Sequence, residues 1–277
     1  MRVISLVLTT LLASSCASGP MVNGNAAAIS VASRAALQAA IDNPARDAAN
    51  RARDPHRHPL QTLQFFGVEP NDTVIEITPG AGWYSEILAP YLDGNGRYIA
   101  AAPAAAADTG GGRRNAALRE RLRAGASTSH AQLVEFDAKA PAFGSAGFAD
   151  VVLTFRNVHN WVAAGNADTY FRAFFAALKP GGVLGVVDHR AKPGTDIETM
   201  KKSGYLTEAL VVQLATDAGF VLDARSQVNA NPKDTTTHPN GVWTLPPVKR
   251  HDAADEAKYS AIGESDRMTL RFRKPAR

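Results

Sequence analysis

An alternation along the chain restricts its fold more than any other feature. Short apolar runs at residues 74–77, 98–101, 132–136, 151–155, 183–187 and 221–224 are separated, in most cases, by segments of helical pattern: "WYSEILAPYL", "RRNAALRERLRAG", "ADTYFRAFFAALK" and "YLTEALVVQLATDAG". Strands that alternate with helices are joined by crossovers, which makes them parallel and puts helices on both faces of the sheet. The chain closes on "RMTLRFRK", where apolar and polar residues alternate with a strand period. No helical pattern lies between residues 221–224 and this closing strand, so the two are expected to pair antiparallel. The expected architecture is α/β: a mostly parallel seven-stranded sheet with its last strand antiparallel. A chain of 277 residues can bury a full core. With 45% hydrophobic and 20% charged residues it is neither a disordered chain nor a multi-span membrane protein. A net charge of +4 spread over this length does not argue for nucleic acid.

The first residues stand apart from this pattern. Arg2 precedes "VISLVLTTLLA", too short to span a membrane as a folded helix but suited to the apolar region of a secretory signal. It ends in "LLASSC", which resembles the lipobox of bacterial lipoproteins, with Ala13 where leucine is commonest. The resemblance implies cleavage before Cys16 and lipidation of that residue; ordinary cleavage after Ala17 is the alternative. Cys16 is the only cysteine, so the chain needs no disulfide and tolerates an oxidising compartment, which favours the lipoprotein. Ala17, rather than Asp, after the cysteine resembles outer-membrane sorting. The expected location is therefore the periplasmic side of a bacterial envelope, with a membrane anchor. The expected division is a signal peptide at 1–15, a tether at 16–32 and a folded domain at 33–277.

Ahead of the first strand, an Ala-rich helix is expected at 33–41, and Leu60, Leu63 and Phe66 fit a short helix that stops at Gly67. Between them "RARDPHRHP" (51–59) is basic and broken by proline. Its Arg53 and Arg57 either face an acidic group across the site or are solvated. The arginine-rich helix at 113–123 is read as an exposed face.

The stretch "VIEITPGAGWYSEIL" (74–88) runs from a strand through a glycine turn into a helix. Amides at a helix start point outward and glycine lets the backbone approach a ligand, although a purely structural turn also uses glycine. From about residue 51 onward the chain resembles the class I S-adenosylmethionine-dependent methyltransferases, most of all a branch carrying secretion signals. The family's acid–x–Gly–x–Gly–x–Gly motif reads Glu76, Ile77, Thr78, Pro79, Gly80, Ala81 and Gly82, with threonine in place of the first glycine. "FADVVLTFRNVHNW", "LKPGGVLGVVDH" and "DAGF" resemble the family's later landmarks. The resemblance implies a Rossmann-like fold and S-adenosylmethionine as cofactor, with contacts from Glu76, Thr78, Pro79, Gly80, Ala81 and Gly82. It also places Asp137 at the adenine amino group, where the alternative is a turn acid. Thr78 and Pro79 are expected to form the tight turn through the fixed Pro φ. Gly82 is expected where the backbone meets the cofactor. One departure is plain: the family's ribose-binding acid at the end of the second strand is replaced by Ala101, Ala102 and Pro103, unless Asp108 reaches back. Losing such a charged hydrogen bond costs about 1.5–3 kcal/mol, roughly ten- to a hundredfold in affinity.

Methyl transfer is an in-line displacement in which the cofactor carries the chemistry and the protein supplies alignment, with base catalysis optional. "RNVHNW" (156–161) follows the fourth strand at the ligand edge and offers His159 as a candidate base with Asn157 beside it; a structural histidine is the alternative. Asp188 and His189 end the fifth strand at the same edge. Their spacing with His159 matches no metal-ligand pattern, so no metal is expected. The connection 229–265 leaves a strand that ends at the ligand edge and enters one that begins there, so it lies over the site as a lid or as a surface excursion. Its Asp234, His238 and Trp243, with Asp188 and His189, are candidate substrate contacts. The expected function is a methyltransferase acting on a small molecule or envelope component. The alternative is a non-catalytic periplasmic ligand-binding lipoprotein that keeps the fold, because the methyl donor is made in the cytosol.

Overall fold

The computed structural model describes residues 30–124 and 131–276. The expected signal peptide, Cys16 and most of the tether lie outside the described residues. Seven strands, β1 (Thr73–Ile77), β2 (Arg97–Pro103), β3 (Ala131–Phe136), β4 (Ala149–Phe155), β5 (Leu178–His189), β6 (Val221–Ser226) and β7 (Arg267–Arg273), form one sheet in the order β3-β2-β1-β4-β5-β7-β6. β1 to β5 pair with one another in parallel, whereas β7 lies between β5 and β6 and is antiparallel to both. The chain leaves β1 toward β2 on one side and returns to β4 on the other. The crevice at the carboxyl ends of β1 and β4 is therefore the topological switch point, where sheets of this kind bind ligands.

The helices are α1 (Val31–Ile41), α2 (Ala48–Arg51), α3 (Asp54–Arg57), α4 (Pro59–Phe66), α5 (Ser85–Tyr91), α6 (Gly110–Ala124), α7 (Val158–Ala164), α8 (Ala167–Ala177), α9 (Ile197–Ser203), α10 (Glu208–Asp217) and α11 (Glu256–Ile262). They cover both faces. On one face Ile75, Ile77 and Val152 pack with Trp161, Tyr170, Phe171 and Phe174 of α7 and α8; on the other Val74 and Leu153 pack with Leu37, Leu63, Phe66, Tyr84 and Ile87. Because both faces are buried, the central strands read as continuous apolar runs rather than as alternation. Edge strand β3 instead exposes Gln132 and Glu135, as an unpaired edge requires. α4 stops at Gly67, whose φ of 73° forms a left-handed cap.

The structure adds helices where no periodicity is legible. α2 and α3 occupy the proline-broken basic segment, α7 begins inside "RNVHNW", and α9 and α11 follow. Each has four to seven residues, about one or two turns, too few to display a period. The arginine-rich helix is not only an exposed face: α6 starts at Gly110 and buries Gly112, Asn115, Leu118 and Leu122. Among the described residues no helix is long and apolar enough to cross a membrane.

Candidate functional site

Three residues of the turn after β1 have positive φ: Thr78 at 54°, Gly80 at 62° and Gly82 at 84°. The turn is therefore not made by the fixed Pro φ alone, as expected above, but by a threonine in the left-handed region. For a β-branched residue that conformation costs about 1–2 kcal/mol. Thr78 is held there by its backbone N–H, which donates to the Ala101 carbonyl at 2.7 Å, and its buried Oγ1 finds no partner among the described residues. Strain of this kind collects at ligand sites.

The two glycines have different jobs. A Cβ on Gly82 would lie 2.7 Å from Leu118 Cδ1 and 3.2 Å from Ser85 Oγ, so it points at α6 and α5, and the φ of 84° is the conformation that favours glycine there. Contrary to the expectation that the backbone meets the cofactor at Gly82, Gly80 and Ala81 line the cavity beside the turn, and Gly82 does not. Gly80 faces open space with nothing within 4 Å of such a Cβ, and Gly80 and Ala81 are exposed. Asn157 also differs from expectation. Its buried amide donates toward the carbonyls of Ile77 (3.1 Å), Thr78 (3.3 Å) and Phe155 (3.2 Å), so it straps the turn to β4 rather than handling a proton.

Glu76 ends β1 beneath the turn and lines a cavity of about 250 Å³ together with Thr78, Gly80, Tyr84, Arg57 and Arg156. Its Oε2 accepts from Tyr98 Oη at 2.5 Å and Ser85 Oγ at 3.4 Å. Burial pushes its carboxyl up to about 7, against the pull of those two donors and of Arg57. Ionised, it is a buried carboxylate able to pair with an ammonium group. Trp83 anchors the basic N-terminal segment over the turn: its Nε1 donates to the Asn50 carbonyl at 2.9 Å, and the Arg57 guanidinium lies 4.5 Å from its ring centre.

At the neighbouring strand ends, His159 and Asp188 meet. His159 Nδ1 is 2.9 Å from Asp188 Oδ1, and the fully buried Asp188 also takes the backbone N–H of His189 at 2.7 Å and of His159 at 3.3 Å. A carboxylate only accepts, so His159 carries a proton on Nδ1, and in the neutral imidazole Nε2 is the acceptor. His189 is held differently: its Nδ1 lies 2.5 Å from Ser265 Oγ, and burial, His159 and Arg156 push its pKa well below the usual value. A second cavity of about 180 Å³ is lined by His159, His189, Trp243 and Arg156, so the two cavities adjoin at Arg156.

Sequence spacing gave no metal pattern, yet the donor atoms of His159, Asp188 and His189 lie within 4.8 Å of one another. The local charge opposes a cation, because Arg156, Arg267 and Arg57 all bear on His189. The Asp188–His159 contact is instead the arrangement that orients a general base.

The connection 229–265 closes over this edge as a lid. Trp243, in a short 3₁₀ turn at Gly241–Thr244, sits with its ring centre 6.3 Å from that of His159. Asp234 is not free to contact a substrate. Its carboxylate accepts from Tyr205 Oη (2.9 Å), His238 Nε2 (2.8 Å) and the N–H groups of Thr236 and Asp266 (2.8 Å each), and so pins the lid and occupies His238. The lid also supplies a residue that sequence reasoning missed. Glu264 is buried among four arginines: Arg53 Nε at 2.7 Å, Arg267 Nη1 at 3.2 Å, Arg57 Nε at 3.7 Å and Arg156 Nη1 at 3.9 Å. Burial raises its pKa, but Arg267, Arg57 and Arg53 together outweigh that and hold it at about 2. Arg53 and Arg57 thus face an acid across the site.

Asp137 is exposed after β3, with Oδ1 accepting from the Lys139 N–H at 2.8 Å, so it caps its own turn and keeps one oxygen uncommitted by that bond. At the end of β2 there is no carboxylate; Asp108 is exposed in the loop before α6.

Solved structures resemble this fold. A SAM-dependent methyltransferase from Aquifex aeolicus superimposes with a TM-score of 0.55 at 14% identity, over 87% of this chain and 98% of that one. The [4+2]-cyclase SpnF does so with a TM-score of 0.55 at 16% identity, over 85% and 86% of the two chains. No protein-family model matches the chain, and no curated protein matches it by sequence. The fold is the Rossmann-like one of class I methyltransferases. At these identities the likeness is one of fold, and activity must be argued from the site.

Proposed function

We propose that the protein is an S-adenosylmethionine-dependent methyltransferase that acts on a small molecule, working from the periplasmic side of the envelope on a lipid anchor at Cys16. The observation that carries the reading is the juxtaposition of the glycine-turn cavity and the Asp188–His159 pair at the switch point, joined at Arg156 and roofed by Trp243. The chemistry of the turn suits the amino-acid end of this cofactor. Glu76 would take the ammonium group, the backbone of Thr78, Pro79, Gly80 and Ala81 would face the rest, and Asp137 would meet the adenine. The cofactor supplies an electrophilic methyl group. The chain's own residues orient the acceptor beneath Trp243, and His159 takes the acceptor's proton at Nε2 while Asp188 holds Nδ1–H.

A specific observation favours a second reading, a ligand-binding protein without turnover: β2 ends in Ala102 and Pro103, with no carboxylate for the ribose. Methyl-labelled S-adenosylmethionine and a pool of small envelope metabolites separate the two. Label transfer that is lost in His159→Ala, with S-adenosylhomocysteine binding retained, supports the methyltransferase. Binding without transfer by the wild type leaves the second reading.

A further inference from the structure

Arg57, which is buried, and Arg156, whose side chain is 22% exposed, are unusual among the charges of this protein. Each lines the cavity beside the glycine turn, and neither guanidinium donates a hydrogen bond to any described residue. Their contact with Glu264 is loose, at 3.7 and 3.9 Å, because the carboxylate is committed to Arg53 and Arg267 at 2.7 and 3.2 Å. The Nε atoms of Arg57, Arg156 and Arg267, and Nη2 of Arg53, are buried with no hydrogen-bond partner among the described residues. Arg57 itself is 8% exposed. A guanidinium carries five N–H donors, and leaving a buried one unmade is costly.

Among the described residues no other acid forms an ion pair with Arg57 or Arg156, although Glu76 and Asp188 act on them at longer range. Asp188 is shared between His159 and two backbone N–H groups, and Glu76 is bonded by Tyr98 and Ser85. S-adenosylmethionine would bring one carboxylate to this cavity but no net negative charge, since its sulfonium and ammonium outweigh it. The missing negative charge must come with the other ligand. Fork-shaped guanidiniums side by side match the planar or tetrahedral oxygens of a carboxylate or phosphate. Arg156 is shared by the two cavities, with a backbone φ of 63° at the end of β4. It therefore reaches a ligand lying between the glycine turn and His159.

Resting on the methyltransferase reading above, we infer that the methyl acceptor is an oxyanion, a carboxylate or phosphate compound, whose anionic group docks on Arg57 and Arg156 between the glycine turn and the lid. Neutral and cationic acceptors are disfavoured there by the same guanidiniums.

The test titrates inorganic phosphate into the purified protein, alone and saturated with S-adenosylhomocysteine, by calorimetry. The wild type is expected to bind phosphate with S-adenosylhomocysteine in place. Arg57→Met and Arg156→Met should each weaken that binding roughly tenfold or more. Arg57→Lys and Arg156→Lys keep the charge and should retain part of the affinity, which separates anion binding from a folding defect. Phosphate that is displaced by S-adenosylhomocysteine overturns the inference, because the arginines then serve the cofactor's own carboxylate. Phosphate binding that is absent, or indifferent to all four substitutions, overturns it as well. Arginine-dependent phosphate binding in a protein that ignores S-adenosylhomocysteine supports the oxyanion site and sinks the methyltransferase reading alone.

Discussion

Replacing Glu264 by glutamine removes the one carboxylate shared by four guanidiniums while keeping the side chain's shape. The cost can be worked from the structure. Glu264 is 4% exposed, and its pKa falls from 4.5 to about 2. A group with a depressed folded-state pKa stabilises the fold fully above its unfolded value, and loses that contribution as pH falls through the folded one. A gap of this size is worth about 3 kcal/mol at pH 7, in line with the cost of about 3–5 kcal/mol for breaking a buried ion pair. Urea unfolding of wild type and Glu264→Gln should therefore differ by about 3 kcal/mol at pH 7. The same comparison at pH 3 should show roughly half of that, about 1.4 kcal/mol, because the wild-type carboxylate is by then losing its advantage. A difference below about 1 kcal/mol at pH 7, or one equally large at pH 3, would refute the claim that Glu264 is the buried counter-ion of the cluster. In the folded variant the arginines lose their competitor, so phosphate should bind more tightly than to the wild type.

Other outcomes follow from the turn, the base and the anchor. Thr78→Gly relieves left-handed strain of about 1–2 kcal/mol against a glycine entropy cost of about 0.5–1 kcal/mol, so urea unfolding should show a net gain. Gly82→Ala should lose about 1–2 kcal/mol because its φ of 84° lies in the left-handed region; a Gly82→Ala as stable as the wild type would show that the turn does not hold this residue there. Asp188→Asn deprives His159 of its fixed tautomer and should lower turnover by about 10²–10⁴ while leaving S-adenosylhomocysteine affinity within about twofold; equal losses in both would make Asp188 a structural residue only. Cys16→Ser should release the protein from membranes, and fractionation unchanged from the wild type would remove the lipid anchor from the account.

The sheet was legible because its signal is local. Residues 74–77, 151–155 and 183–187 each carry their own apolar run, and "RMTLRFRK" shows its alternation within eight residues. The site was legible only in part. Glu76 and the glycine turn declare themselves in one short stretch, but what each residue does depends on partners far away in the chain. Gly82 reads as a ligand glycine until Leu118 is placed over it. His159 gains its meaning from Asp188, 29 residues later, and Arg53 from Glu264, 211 residues later. A single glutamate in a polar connection has no local signature, so nothing marked Glu264 as the centre of an arginine cluster. Asn157 and Asp234 have the residue types of catalytic and substrate contacts, and only their full sets of hydrogen bonds reveal them as straps.

The most direct measurement is a calorimetric titration of S-adenosylhomocysteine into the purified protein at several pH values around the titration of Glu76. If the ammonium group pairs with the Glu76 carboxylate, a single site is expected whose affinity rises as pH increases through about 7, where that carboxyl ionises. A silent titration at millimolar ligand, or an affinity that falls as Glu76 ionises, would contradict the cofactor site at the glycine turn.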